Sequence, residues 1–96
     1  MSLLAEVKSK LEKLKPELMA KYPLAYIGIF GSVARGDNRD DSDVDIIVEF
    51  TKPVGVQFID LANELEARLG REVDLITREG VKERYWKYIE PDIIYV

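Results

Sequence analysis

The residues best suited to chemistry lie in one short stretch near the middle of the chain. Gly31 and Ser32 follow an apolar run that ends at Phe30, and Asp43 and Asp45 open the next apolar run. Small residues in a turn let a phosphate approach the backbone amides. Paired carboxylates hold hard cations such as Mg²⁺. The two features together predict a site that handles a nucleoside triphosphate.

The spacing of Asp43 and Asp45 places both carboxylates on the same face of a strand. Residues two apart in a strand point the same way and lie about 6–7 Å apart at the backbone, so both can share cations between them. Oxygen ligands without imidazole or thiolate favour Mg²⁺ or Mn²⁺ over zinc. Two such ions about 3.5–4 Å apart can stabilise the entering and leaving oxygens of an in-line displacement at phosphorus.

The composition excludes several other chemistries. The chain has 96 residues, of which 47% are hydrophobic and 33% charged, and this predicts one small folded domain over residues 1–96. It contains no cysteine and no histidine, so catalysis has to use carboxylates, hydroxyls, backbone amides, Lys, Arg and bound metal. With no long apolar run and no signal-peptide layout at the start, we expect a cytoplasmic protein that does not associate with membranes.

The net charge of −4 is concentrated in one region. Residues 37–49 hold six acids and one base, whereas the rest of the chain is nearly neutral. Such an acidic patch repels a polynucleotide backbone unless metal neutralises it. We therefore expect no stable DNA binding.

Hydrophobic spacing predicts an α/β fold in which helices and strands alternate. The predicted elements are a helix from about Leu3 to Lys21 with a kink or restart at Pro16, strands at Ala25–Phe30 and Asp43–Phe50, a helix from about Val56 to Leu69 capped by Gly70, a strand at Glu72–Ile76, a helix from about Glu79 to Glu90 with Val81, Tyr85, Tyr88 and Ile89 facing inward, and a short strand or apolar tail at Ile93–Val96.

The connections between strands predict where the acidic residues meet. About a dozen residues join the first two strands, too few for a parallel crossover, so these strands should pair antiparallel. A whole helix separates the second strand from the third, which favours a right-handed parallel crossover. That crossover places Asp74 near Asp43 and Asp45. We expect a mixed sheet of three or four strands, with three carboxylates and the glycine–serine turn at one edge.

Two better-known phosphate and cation motifs do not match. A P-loop requires Lys followed by Ser or Thr where this chain has Asp37 and Asn38. An EF-hand requires a turn glycine where the chain has Ile46, and a bidentate glutamate where it has Lys52.

An ordered set of short motifs resembles the signature of the DNA polymerase beta nucleotidyltransferase superfamily. The motifs are Gly31-Ser32, Arg35-Gly36, Ser42-Asp43, Asp45 and, in a later strand, Asp74. The short length resembles the minimal branch of that superfamily, the MNT proteins, which are paired with HEPN-domain toxins. The resemblance covers nearly the whole chain and implies a nucleotidyltransferase-like sheet with flanking helices.

The resemblance also implies roles and partners. By position, Asp43, Asp45 and Asp74 would be catalytic metal ligands, while Gly31 and Ser32 would hold the triphosphate. The implied reaction is Mg²⁺-dependent (Mn²⁺ being possible) transfer of AMP from ATP to a hydroxyl, with release of pyrophosphate. For minimal members the implied acceptor is a tyrosine of the HEPN toxin, so this chain would act as an antitoxin.

Several alternatives stay open at this stage. The chain could neutralise a toxin as a non-catalytic binding module, or transfer nucleotide to a small molecule or RNA as larger relatives do. Arg35 could contact a phosphate, or it could form an ion pair on a helix surface. Ser42 is expected to order its loop rather than act as a nucleophile. Trp86 points away from the predicted inward face and could meet a partner.

Overall fold

A computed structural model describes residues 2–96 of the chain. Four helices and four strands alternate along it, together with two 3₁₀ turns. The elements are α1 (Leu3–Lys21), β1 (Leu24–Phe30), α2 (Gly31–Arg35), β2 (Val44–Phe50), α3 (Gln57–Leu69), β3 (Val73–Thr77), a 3₁₀ turn (Arg78–Gly80), α4 (Glu83–Ile89), a second 3₁₀ turn (Glu90–Asp92) and β4 (Ile94–Tyr95).

The strands form one mixed sheet in the order β3-β2-β1-β4. Strand β1 pairs antiparallel with β2, and β2 pairs parallel with β3, as the connection lengths predict. The C-terminal residues were predicted to form either a short strand or an apolar tail. They form a strand, because β4 pairs antiparallel with the outer edge of β1. The predicted α/β fold with a mixed sheet is confirmed.

Helices α1 and α3 cover one face of the sheet and enclose the hydrophobic core. Their apolar stripes follow the 3.6-residue period of an amphipathic helix. The stripes meet the alternate residues of β1 and β2 that point toward the helices. The core includes Val7, Leu11, Leu14 and Leu18 of α1, Leu61, Leu65 and Leu69 of α3, Ile27 and Ile29 of β1, and Val44, Ile46 and Val48 of β2.

The opposite face, called here the second face, carries the residues that alternate with this core. Because side chains alternate along a strand, Asp45 and Ile47 of β2 point to the second face. The C-terminal segment covers part of it. A Cβ built on Gly28 would lie 2.8 Å from Cγ2 of Ile93, so a residue without a side chain is needed there. The ring of Tyr26 meets that of Tyr95 edge-on, with 5.2 Å between centroids.

Helix α1 runs without interruption through Pro16, so a restart at that residue, one of the two predicted outcomes, is wrong. A proline in a helix interior removes the hydrogen bond to the carbonyl four residues earlier, here that of Glu12. Both Pro16 and Glu12 are exposed, so water can satisfy the free carbonyl and the helix continues.

The last helix differs most from its prediction. It begins at Glu83 rather than about Glu79, because the Thr77 hydroxyl accepts a hydrogen bond from the Gly80 amide and closes a 3₁₀ turn. The predicted inward positions of Tyr85 and Tyr88 are wrong: these side chains are 51% and 70% exposed. No residue of α4 is buried. In the part of the chain that the structure describes, no helix is both long enough and apolar enough to cross a membrane.

Candidate active site

The parallel pairing of β2 and β3 brings the acidic residues together where these two strands begin. Asp45 is the register partner of Asp74, so the two residues occupy neighbouring positions on adjacent strands. Asp43 immediately precedes β2, and alternation directs it to the same face as Asp45. The structure therefore juxtaposes the three carboxylates that the sequence singles out, on the face opposite to α1 and α3.

This arrangement disfavours the ionised form of the Asp45 carboxyl when no cation is bound. Burial raises the pKa of the Asp45 carboxyl above its usual value, and the negative charges of Asp74 and Asp43 raise it further. The nearby positive charge of Arg35 offsets only part of this effect. A divalent cation between the carboxylates would remove the repulsion and favour the ionised form.

The acidic residues fit Mg²⁺ or Mn²⁺ by donor chemistry, although they do not form a closed cage. Within residues 2–96, no group of three acidic side chains already encloses a position for a metal ion. Asp43 and Asp74 are both exposed and can rotate toward a cation. Three carboxylates supply only oxygen ligands, which is the donor type these ions prefer.

The glycine–serine turn lies directly against the carboxylate of Asp45. Gly31 follows Phe30, the register partner of Asp45, and it has a φ of +73°, which disfavours any residue with a side chain. A Cβ at this position would overlap the Oδ2 atom of Asp45 and lie 3.0 Å from its Cγ. The absent side chain therefore lets the backbone turn approach the acidic site closely.

Gly31 also starts helix α2, a five-residue helix that the sequence analysis treats as a turn and loop. The first amides of a helix have no partner within the helix and can donate to an anion. The Ser32 hydroxyl makes no hydrogen bond within residues 2–96, so it is available as a further donor beside them. Buried Val33 anchors the helix in the core, and Gly36 ends it in a left-handed conformation.

Arg35 forms ion pairs in this structure. Its Nε donates to Oδ2 of Asp37 at 3.1 Å, and its Nη1 donates to Oδ2 of Asp92 at 3.2 Å. This is the ion-pair alternative left open for Arg35, and phosphate contact by the same side chain stays a prediction. The expectation for Ser42 is confirmed, because its hydroxyl accepts a hydrogen bond from the Arg39 amide at 2.8 Å and orders the acidic loop.

Sequence reasoning missed two residues beside the site, Arg71 and Asp92. Arg71 donates to the carbonyl of Asp40 at 3.0 Å and lines a cavity of about 200 Å³ together with residues 40–43 and Glu72. A basic residue between the capping Gly70 and the start of β3 was the available signal for Arg71. A second cavity, of about 230 Å³, involves Glu49 and Phe50 at the other end of β2 and contains none of the three site carboxylates.

Comparison with known proteins agrees with this geometry. The family model for the nucleotidyltransferase domain matches residues 11–95. The chain therefore belongs to the nucleotidyltransferase domain family, and it is a nucleotidyltransferase. Among its relatives, protein adenylyltransferase MntA of Thermococcus cleftensis is 40% identical over 97 residues, which cover 100% of this chain and 98% of that protein.

Solved structures place the chain within the minimal branch of the family. One structure, described provisionally as a minimal nucleotidyltransferase, is 29% identical with a TM-score of 0.82, and the match covers 98% of this chain and 95% of that one. A chain in a crystal structure of a toxin–antitoxin with AMP-PNP is 27% identical with a TM-score of 0.62, over 74% of this chain and 60% of that one. The predicted resemblance to the minimal nucleotidyltransferases is confirmed.

Proposed function

We propose that this chain transfers AMP from ATP to a tyrosine hydroxyl of a partner HEPN toxin in a Mg²⁺-dependent reaction, and that it acts as the antitoxin of that partner. The observation that carries the proposal is the pairing of Asp45 with Asp74 directly beside the Gly31 turn. Transfer at a phosphorus atom requires carboxylates that hold metal ions beside donors that bind phosphate, and this pairing brings the two together.

Asp43, Asp45 and Asp74 would hold the divalent ions. When bound, such ions neutralise phosphate charge and lower the pKa of a nearby hydroxyl. The backbone amides at the start of α2 and the hydroxyl of Ser32 would donate hydrogen bonds to the triphosphate oxygens. These fixed donors orient the α-phosphorus toward the carboxylates.

The proposed step is an in-line displacement. The acceptor tyrosine oxygen forms a bond to the α-phosphorus of ATP, and the bond from that phosphorus to the bridging oxygen of the β-phosphate breaks. Asp74 is the carboxylate assigned to accept the proton from the acceptor hydroxyl, because it lies on the exposed edge strand that an incoming protein can reach. Pyrophosphate leaves, and the partner carries an AMP ester.

Two comparisons support the choice of acceptor. The full-length relative from Thermococcus cleftensis is named a protein adenylyltransferase, which indicates a protein rather than a small molecule as the acceptor. The structural relative from a toxin–antitoxin was solved with AMP-PNP, an ATP analogue, which supports both the nucleotide and a toxin partner. The acidic patch around the site disfavours an RNA acceptor.

The direct experiment mixes the chain with α-labelled ATP, Mg²⁺ and the protein encoded by the neighbouring gene. We expect label on a tyrosine of the neighbour, and loss of labelling with the double variant Asp43→Asn/Asp45→Asn. A matched control, Asp40→Asn/Asp41→Asn, removes the same charge from the preceding loop without touching the proposed ligands. An unlabelled neighbour, or labelling that survives in the Asp43/Asp45 variant, contradicts the proposal.

The non-catalytic binding module remains the second candidate, and helix α4 is the observation that favours it. This helix buries no residue and exposes the rings of Tyr85 and Tyr88, and exposed tyrosines are typical of protein interfaces. If the Asp43→Asn/Asp45→Asn protein still protected cells from the partner, binding alone would be sufficient. Loss of protection with retained complex formation would favour catalysis.

A further inference from the structure

The ion pairs of Arg35 occupy every nitrogen of its guanidinium group. Nε and Nη2 donate to the two carboxylate oxygens of Asp37 at 3.1 and 3.5 Å, and Nη1 donates to Asp92 at 3.2 Å. A guanidinium group has five N–H donors, and a planar anion can accept from two of them at once. Three of the five N–H groups are used in this way, so the ion pairs hold the guanidinium group in place without using all of its donors, and its charge acts on Asp45.

The two acidic partners of Arg35 differ in origin. Asp37 lies two residues along the same loop, and its side chain is 61% exposed. Asp92 comes from the C-terminal segment, 57 residues away in sequence, and its side chain is 29% exposed. The pair with Asp92 is therefore the less screened by solvent, and it connects the site to a distant part of the chain.

The segment that carries Asp92 has a local hydrogen bond before Asp92 and is fixed to the rest of the fold after it. Before Asp92, Trp86 donates from Nε1 to Glu90 at 3.1 Å. After it, the Val96 amide donates to the Ile27 carbonyl at 3.0 Å, and Lys15 donates to the Val96 carbonyl at 2.8 Å. Asp92 therefore binds Arg35 from a position that the fold holds in place.

We propose that Asp92 is a positioning residue that holds Arg35 away from the nucleotide phosphates, and that a bound triphosphate draws Arg35 off Asp92. This inference rests on the proposed function, because it requires a triphosphate at the Gly31–Ser32 turn. The consequence is that nucleotide binding competes with an internal ion pair. Removing the Asp92 charge leaves Arg35 held only by the exposed Asp37, so the guanidinium group moves to the phosphates more easily and nucleotide binding tightens.

The test measures binding of ATP with Mg²⁺ by calorimetry on the whole chain, without any acceptor. We expect Asp92→Asn to bind ATP about two- to fivefold more tightly than wild type, the range for one partly exposed ion pair, and Arg35→Gln to bind more weakly. In the Arg35→Gln background, Asp92→Asn should have no effect, because the group it releases is gone. High salt should reduce the Asp92→Asn effect.

A charge-matched control is Asp60→Asn on α3. Asp60 acts on Tyr22, just before the start of β1, whereas the site lies at the end of β1. This variant changes the net charge equally and should leave ATP binding unchanged.

Unchanged or weaker ATP binding by Asp92→Asn overturns the inference, as does an effect that persists without Arg35. A failure of the proposed function looks different, because ATP would bind while no AMP reached the partner. In that case the difference in ATP affinity between the variants would still report whether Asp92 competes with the nucleotide for Arg35.

Discussion

Alanine substitutions at the three glycines with positive φ separate the cost of backbone strain from the cost of contact with Asp45, and Gly31→Ala carries both costs. With φ at +73°, a side chain at this position costs about 1–2 kcal/mol of stability. The new methyl group would also overlap the carboxylate of Asp45, and overpacking of this kind costs about 1–3 kcal/mol more. We therefore expect Gly31→Ala to lose about 2–5 kcal/mol of unfolding free energy in total.

The chain supplies two controls for this substitution. Gly36 and Gly70 have φ values of +82° and +68°, and a Cβ on either would meet no atom within 4 Å. Their alanine variants carry the strain without the contact, so each should lose only about 1–2 kcal/mol. Urea unfolding followed by the fluorescence of Trp86, the single tryptophan, measures all three variants.

Activity should separate the variants further. Displacing a catalytic carboxylate by about 1 Å can cost about 100-fold in rate, so Gly31→Ala should lose at least that much AMP transfer under folded conditions. Gly70→Ala adds no contact with Asp45, so it should lose far less activity than Gly31→Ala. The reasoning is refuted if Gly31→Ala unfolds no more easily than Gly36→Ala and transfers AMP at the wild-type rate.

Three further predictions concern stability. Asp45→Asn should raise the melting temperature of the metal-free protein, because burial and neighbouring acids raise the pKa of Asp45 and penalise its ionised form at pH 7. The expected rise is about 4–8 °C for each 1 kcal/mol of stability gained. A lowered melting temperature would contradict this. Burial and the hydrogen bond to Glu64 raise the pKa of Tyr22 from 10.0 to about 12. The stability that Tyr22 contributes is therefore complete below pH 10 and lost between pH 10 and 12, so Tyr22→Phe should unfold with less pH dependence in that window than wild type. Trp86→Ala should speed hydrogen exchange at the Val96 amide. The Trp86 ring stacks 3.8 Å from the Arg78 guanidinium, and this contact helps to hold the C-terminal segment. Unchanged exchange at that amide would show that β4 is held without this contact.

The sheet and the meeting of its acidic residues were predictable because strong local patterns fix them. Alternation in Val44–Phe50 sets which face carries Asp45, since reversing it would bury a carboxylate in the core. The helix between the second and third strands forces a parallel crossover, and that crossover brings Asp74 beside Asp45. These inferences depend on hydrophobic pattern and connection length, which are both properties of the sequence.

The C-terminal region was less predictable because its pattern is ambiguous. Tyr85 and Tyr88 have helical spacing, yet periodicity alone cannot distinguish a face that packs on the sheet from one that stays exposed. Helix α2 is five residues long, too short to show any period, and therefore reads as a loop. The contact between Arg35 and Asp92 joins residues 57 positions apart, and no local pattern indicates it.

The most direct test of the central claim is a crystal soaked with Mn²⁺ and a non-hydrolysable ATP analogue, with manganese located by its anomalous scattering. We predict manganese bound to oxygens of Asp43 and Asp45, with Asp74 at the same cluster and the triphosphate on the amides of Gly31 and Ser32. Manganese bound elsewhere, or an analogue bound away from that turn, would contradict the assignment of this edge of the sheet as the active site.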